Sequence, residues 1–247
     1  MPIPTEYVGR EQTFAKHIFF ETYLETLGYH ILSFKDTFVY VDGFSGPWES
    51  KNDSYTDTSF AIALKKLAEV KQSAEKAFKR PKKVRCLFIE KSPKVFAELK
   101  AYADKNTPEG IEVQLFNGDF ENLISEIQTF IGKSFSFIFI DPTGWTGYAY
   151  EKIKPLFQQK GELLINFMYN YINRFIEDER DNIKASFDSL FGEGGWEDEL
   201  GASFASGDFM TSERTIVELY CKRLRNISDT PKWAVTYTPI SHPVKGR

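Results

Sequence analysis

Phe135-Ser-Phe-Ile-Phe-Ile-Asp141, followed by Pro142-Thr-Gly-Trp145, is a short, nearly unbroken apolar run that ends in an acid and a turn. A strand with one wet face alternates apolar and polar residues, so an unbroken run predicts a strand covered on both faces. Working outward, Thr37-Phe-Val-Tyr-Val-Asp42 and Val84-Arg-Cys-Leu-Phe-Ile-Glu90 also end in an acid, and Gly161-Glu-Leu-Leu-Ile-Asn-Phe167 is a further apolar run. Ile111-Glu-Val-Gln-Leu-Phe116 alternates instead, and Asn117-Gly118-Asp119 follows it. Helical spacings separate these runs. Phe60, Leu64, Leu67, Ala74 and Phe78 mark one helix ending before Pro81, Ser92-Pro93 opens another, and Ile124, Ile127 and Ile131 mark a third. Strand and helix in alternation predict an α/β fold with a doubly wound, mostly parallel sheet.

Ahead of the first strand, Glu11 to Gly28 reads as a helix with Gly28 as its stop. Its apolar face is read as Lys16, Phe19, Phe20, Tyr23 and Leu27, so Lys16 must extend its ammonium to solvent or meet a partner. Residues 1–36 are taken as an N-terminal helical extension and 37–247 as the main domain. Further helices are expected near 171–190 and 213–226, and a sixth strand over Trp233-Ala-Val-Thr-Tyr-Thr238. No seventh strand is found, so residues 239–247 are expected to begin a hairpin that the sequence does not finish.

Composition bounds the function classes. The 247 residues are 42% apolar and 27% charged, which suits a globular chain rather than a disordered one. Cys86 and Cys221 lie far apart with no CxxC, which excludes a zinc ribbon and suits a reducing cytoplasm. No apolar run approaches membrane-spanning length. His17 is a lone histidine, and His30 and His242 have no neighbouring ligand set, so no metal site is expected. The net charge of −4 hides two blocks: residues 71–85 carry seven Lys/Arg and one Glu, and residues 176–199 carry nine acids and two bases. The basic block is the candidate contact to nucleic acid, because clustered cations gain from counterion release.

In an open parallel sheet, ligands bind beyond the carboxyl ends of the strands. Asp42, Glu90, Asp119 and Asp141 all stand there. Such a set of acceptors suits hydroxyls or a cation and repels phosphate. After Asp42 comes Gly43-Phe44-Ser45-Gly46-Pro47, whose glycines let backbone approach a ligand. It is not GxGxxG, which disfavours a nicotinamide-dependent oxidoreductase, and Gly132-Lys133-Ser134 lacks the first glycine of a phosphate loop.

Over residues 38–167 these strand ends resemble the class I S-adenosylmethionine-dependent methyltransferases, a Rossmann-like fold. The resemblance implies S-adenosylmethionine as cofactor. It places Asp42, Gly43, Phe44, Ser45 and Gly46 around the methionine part, Glu90 on the ribose hydroxyls, and Asp119 with Phe120 at the adenine. Asp141-Pro142-Thr143-Gly144-Trp145 then lies beside the transferable methyl. Asp141 and the Pro142 carbonyl would accept the hydrogens of an amine, and Trp145 would stack a flipped base. The whole chain is more similar still to the three-Cys-motif partner (TcmP) branch. Lys16-His17, Tyr40-Val-Asp-Gly-Phe-Ser-Gly-Pro47, Ile138-Phe-Ile-Asp-Pro-Thr-Gly-Trp-Thr-Gly147 and Leu164-Ile-Asn-Phe167 carry that likeness. It implies a place near the pocket for Lys16 and His17, and a three-cysteine-motif protein as partner. The expected activity is methyl transfer to an amine nitrogen of a nucleic acid or nucleotide-bearing substrate. The alternative is a non-catalytic nucleoside-binding module serving that partner.

Overall fold

The computed structural model describes residues 3–4, 7–46, 50, 55, 57–204, 209–228 and 233–240. Five parallel strands form one sheet: β1 (Thr37–Asp42), β2 (Lys83–Glu90), β3 (Ile111–Asn117), β4 (Phe135–Ile140) and β5 (Gly161–Ile165). Their order is β3-β2-β1-β4-β5, so the winding direction reverses between β1 and β4. The protein is thus α/β with a Rossmann-like sheet. The runs of β1, β2 and β4 form strands that bury both faces, and alternation along them sorts the side chains. Phe38, Tyr40, Phe88, Phe137 and Phe139 enter the core on one face, while Val39, Val41, Leu87, Ile89, Ile138 and Ile140 enter the other. One face is therefore aromatic and the other aliphatic, each side chain contributing about 1.5–3 kcal/mol on full burial.

The aromatic face is covered by α1 (Glu11–Phe34), α2 (Ser59–Phe78) and α3 (Pro93–Asn106). Thr58 caps α2 by accepting from Ala61 N, and Ser92 caps α3 by accepting from Val95 N. On the aliphatic face lie α4 (Ile124–Ile131), α5 (Tyr150–Ile153), α6 (Tyr169–Phe175), α7 (Asp181–Phe191), α8 (Trp196–Phe204) and α9 (Phe209–Arg225).

Four sequence expectations are corrected here. Gly28 does not stop α1, which continues to Phe34. Gly28 is instead buried at the crossing with α2, where a Cβ would come within 3.2 Å of Val70. The buried face of α1 is His17, Phe20, Leu24, Leu27 and Ile31, one residue out of phase with the stripe read from the sequence. Phe19 and Tyr23 remain 37% exposed, and the Tyr23 hydroxyl donates to Glu162 of β5. The expected helix over 171–190 is two helices, broken at the charged stretch before α7. Residues 233–238 form no strand: Trp233 packs on Phe157 and donates to its carbonyl, while Arg225 holds the Val235 carbonyl. Residues 241–247, part of the expected hairpin, lie outside the described residues. The helix of residues 11–34 packs within the core, where Phe20, Leu24, Ile31 and Leu32 belong to the same buried cluster as residues of β1 and β2.

Among the described residues, no helix is long and apolar enough to cross a membrane. Cys86 and Cys221 are both buried and unpaired with each other.

Candidate functional site

The reversal between β1 and β4 opens a crevice at their carboxyl ends, the place where α/β sheets bind ligands. Asp42 closes β1 and Asp141 follows β4 directly. The two strands pair in register with Asp42 opposite Phe139. The sheet thus sets two carboxylates side by side.

Asp42 is completely buried. It accepts from Phe44 N at 3.1 Å, from the Ser59 hydroxyl at 2.7 Å and from the Tyr40 hydroxyl at 3.3 Å. Burial, with the nearby Asp141 carboxylate adding to it, pushes its pKa up to about 6 against these hydrogen bonds. Asp141 is gripped from both sides. Its Oδ2 takes Lys16 Nζ at 2.6 Å, and its Oδ1 takes Asn166 Nδ2 at 2.6 Å. Lys16 is the partly buried lysine that needed a partner, and Asp141 is that partner.

The loop after β1 folds back over the sheet end. Gly43 N donates to the Phe139 carbonyl, Ser45 N to the Ile89 carbonyl, and the Ser45 hydroxyl to the Asp42 carbonyl. Ser45 and Gly46 are buried, so Ser45 serves the loop's own architecture. Pro47 lies outside the described residues. At Gly43 the close neighbour is Phe120, whose ring would come within 2.7 Å of an added Cβ. Phe120 is buried and tilts against Phe44 at 5.6 Å. Its ring therefore braces the glycine loop.

Glu90, at the end of β2, is buried, and its Oε1 accepts from Ser92 N at 2.6 Å. Burial raises its pKa. Asp119 sits farther out, paired with Lys91 at 2.7 Å. Pro142 is buried. Trp145 stacks on Phe187 at 5.3 Å, tilts against Phe175 at 5.3 Å, and donates its Nε1–H to Ser186 at 2.8 Å. Both its ring and its donor are engaged within the protein. Compared with protein-family models, curated proteins and solved structures, the chain matches none.

Asp42, Glu90, Asp119, Asp141 and the glycine loop therefore share one sheet edge, with Lys16 brought in from α1. Asn166, Ser59 and Tyr40 are the members that sequence reasoning assigned no role. Asn166 follows β5 directly as Asp141 follows β4, and counting polar rather than acidic residues at strand ends would have found it. The donor and acceptor set fits a ligand with hydroxyls and a positive charge. Buried carboxylates at Asp42 and Glu90 accept hydroxyl or ammonium donors, and a cation would offset the crowding of Asp42 by Asp141.

The basic block does not share this edge. Residues 79–83 join the end of α2 to the start of β2, at the amino edge of the sheet. Lys82 is buried, donating to the Lys35 carbonyl and Asp36, and Arg80 pairs with Asp36. Lys83 and Arg85 both pair with Glu112. Most of the block's cations are thus committed to partners in the fold.

His17, beside Lys16 in α1, also has a shifted pKa. Burial, followed by the Lys16 charge, lowers its imidazole to about 4. The folded state disfavours protonated His17, so its contribution to stability is full above pH 6.5 and is lost as pH falls toward 4. Asp42 has the opposite sign: the folded state favours its proton, so stability is lost as pH rises from about 4 to 6. Over pH 4–6 the two oppose one another. Asp42→Asn is expected to gain about 1–2 kcal/mol at pH 7.5, and to leave a stability that rises steadily from pH 4 to 6.5. Urea unfolding across that range checks it. A variant no more stable than the parent at pH 7.5 contradicts the cost assigned to the Asp42 charge.

Proposed function

We propose that the protein binds S-adenosylmethionine at the β1–β4 crevice and transfers its methyl group to an amine nitrogen of a nucleic acid or nucleotide-bearing substrate. The observation that carries this reading is the pair of strand-end carboxylates at the winding reversal, with Glu90 at the next strand end. The resemblance of the sequence to class I methyltransferases supports the same assignment. S-adenosylmethionine would supply an electrophilic methyl on a sulfonium. Glu90 would hold ribose hydroxyls, Asp42 with the Gly43–Gly46 loop would line the methionine part, and Asp119 would reach the adenine edge from its exposed position. Asp141 would accept a hydrogen of the acceptor amine and fix its lone pair, so catalysis would come chiefly from positioning. Lys16 and Asn166 would hold the Asp141 carboxylate in one orientation.

A second reading has its own support. Asp141 already has a donor on each oxygen, and Trp145 is stacked within the protein, as a binding module without catalysis would allow. Such a module would serve a partner protein, for which the likeness to the three-Cys-motif partner branch suggests a three-cysteine-motif protein. Labelled S-adenosylmethionine incubated with total RNA or DNA separates the two, since only the first reading moves label.

Binding itself is tested by thermal shift. S-adenosylhomocysteine at a hundred times its dissociation constant adds about 2.7 kcal/mol, whereas NAD leaves the melting temperature unchanged. Glu90→Ala is expected to weaken S-adenosylhomocysteine by roughly ten- to a hundredfold, the value of a hydrogen bond to a charged group. An undiminished shift in Glu90→Ala removes the ribose assignment.

A further inference from the structure

Between the N-terminal turns of α1 and α2 lies a cavity of 270 Å³, whose lining includes none of the strand-end acids. Tyr7, Phe14, His17, Ile18, Ile62 and Tyr102 line it. Tyr7 packs against Phe14 at 5.1 Å and edge-on to His17 at 5.7 Å, so aromatic rings make much of its wall. One acid and one base, Glu21 and Lys65, also line it, which leaves no charge preference of either sign.

His17 is the polar group in this wall. It is only 8% exposed. Its Nδ1 is 2.9 Å from the Tyr7 hydroxyl. Its Nε2 has no hydrogen-bond partner among the described residues. That nitrogen is not one of the fully buried atoms left without a partner, so on the cavity wall it is open to water or to a guest. Burial keeps the imidazole neutral at pH 7, so it presents one donor and one acceptor and has no charge to offer a phosphate.

We propose that this cavity binds a single neutral heteroaromatic ring of nucleobase size, with His17 Nε2 hydrogen-bonded to the ring's edge. The volume lies just below the range of sites for drug-sized ligands, so it suits one ring system and not a whole nucleotide. The aromatic wall favours a planar guest, and the polar edge of a heterocycle satisfies the nitrogen that the protein leaves open. The proposal stands apart from the cofactor reading of the strand ends. The two places are nevertheless coupled in sequence, because Lys16, the neighbour of His17, is the residue that holds Asp141.

The test is side-chain NMR of the histidines in the full chain, with benzimidazole, adenine and cyclohexylmethanol as probes. Benzimidazole and adenine are expected to shift the His17 ring resonances with a Kd of about 1 mM or tighter, and the alicyclic alcohol to leave them in place. His30, exposed on α1, serves as a reference. His17→Phe keeps an aromatic ring and, followed on the Tyr7 ring resonances because the reporter histidine is gone, is expected to weaken adenine roughly tenfold, as for loss of one neutral hydrogen bond. Ile62→Trp fills the cavity from α2, keeps His17, and is expected to abolish the shift. Comparing adenine with single-stranded oligoadenylate assigns the source: a shared His17 shift places the ring on a nucleic-acid strand, and a shift with adenine alone makes it a free base. No shift with either heterocycle in the unaltered protein overturns the proposal, as does a shift that persists in Ile62→Trp.

Discussion

Gly161→Ala is expected to lower the melting temperature by roughly 6–12 °C. Gly161 opens β5 and pairs with Ser136 of β4. A Cβ there would stand 2.0 Å from the Ser136 carbonyl oxygen and 2.7 Å from its hydroxyl. The hydroxyl can turn away. The carbonyl is part of a buried central strand and cannot, so β5 must shift or β4 must bend. Overpacking of this kind costs about 3 kcal/mol, at the upper end of the usual range. In a domain of this length each kcal/mol moves the melting temperature by about 2–4 °C. Gly201→Ala is the matched control, since nothing lies within 4 Å of its added Cβ and it sits within α8. That change is expected to be neutral or to stabilise by up to about 1 kcal/mol through helix propensity. A Gly161→Ala protein as stable as the parent would contradict the β4–β5 register.

Asp141→Ala is expected to reduce methyl transfer at least about a hundredfold while S-adenosylhomocysteine still raises the melting temperature. A misplacement near 1 Å at the reacting atom can cost that factor, and removing the carboxylate removes the group that would fix the amine. The substitution also frees Lys16 and Asn166, which converge on the vacated position. The measurement is transfer of labelled methyl to RNA or DNA, with the parent protein alongside. Transfer within tenfold of the parent value would take Asp141 out of the reaction. A parent protein that binds the cofactor tightly and moves no label would favour the module reading instead.

All five strands of the sheet were legible in the sequence, four as short, nearly continuous apolar runs and β3 by its alternation of apolar and polar residues. The alternation with helices predicted a parallel sheet, and a parallel sheet puts its crevice at the carboxyl ends of the strands. Helix ends were less legible. Glycine is a local stop signal, and at Gly28 it was overridden by the contact with Val70 and Leu67, which only a small residue permits. The phase of α1 was misread because Phe19 and Tyr23 are apolar by composition yet lie at the margin of the sheet, with Tyr23 bonded to Glu162. Residues 233–238 have the β-branched and aromatic content of a strand, but strand formation needs a neighbour, and composition does not supply one.

The site was partly legible for a related reason. Acids at strand ends are visible one at a time, and their convergence follows from the topology. What holds them is not visible. Lys16 needed a partner, but nothing local identified one so distant in sequence, and Asn166 looked like the end of an apolar strand. Phe120 and Trp145 were read as surfaces for a ligand, and the structure shows both rings in contact with other aromatic side chains of the protein. An aromatic residue next to a functional loop looks the same in sequence whether it faces the ligand or supports the loop.

The bond between Lys16 and Asp141 joins residues 125 positions apart. On a ribosome adding 5–20 residues per second, the helix bearing Lys16 emerges roughly 6–25 s before the carboxylate it clasps. Throughout that interval α1 can pack on α2 and β1 with its ammonium in water. The crevice closes only when β4 slides in beside β1, so the nascent chain has most of its aromatic layer before it has a functional centre.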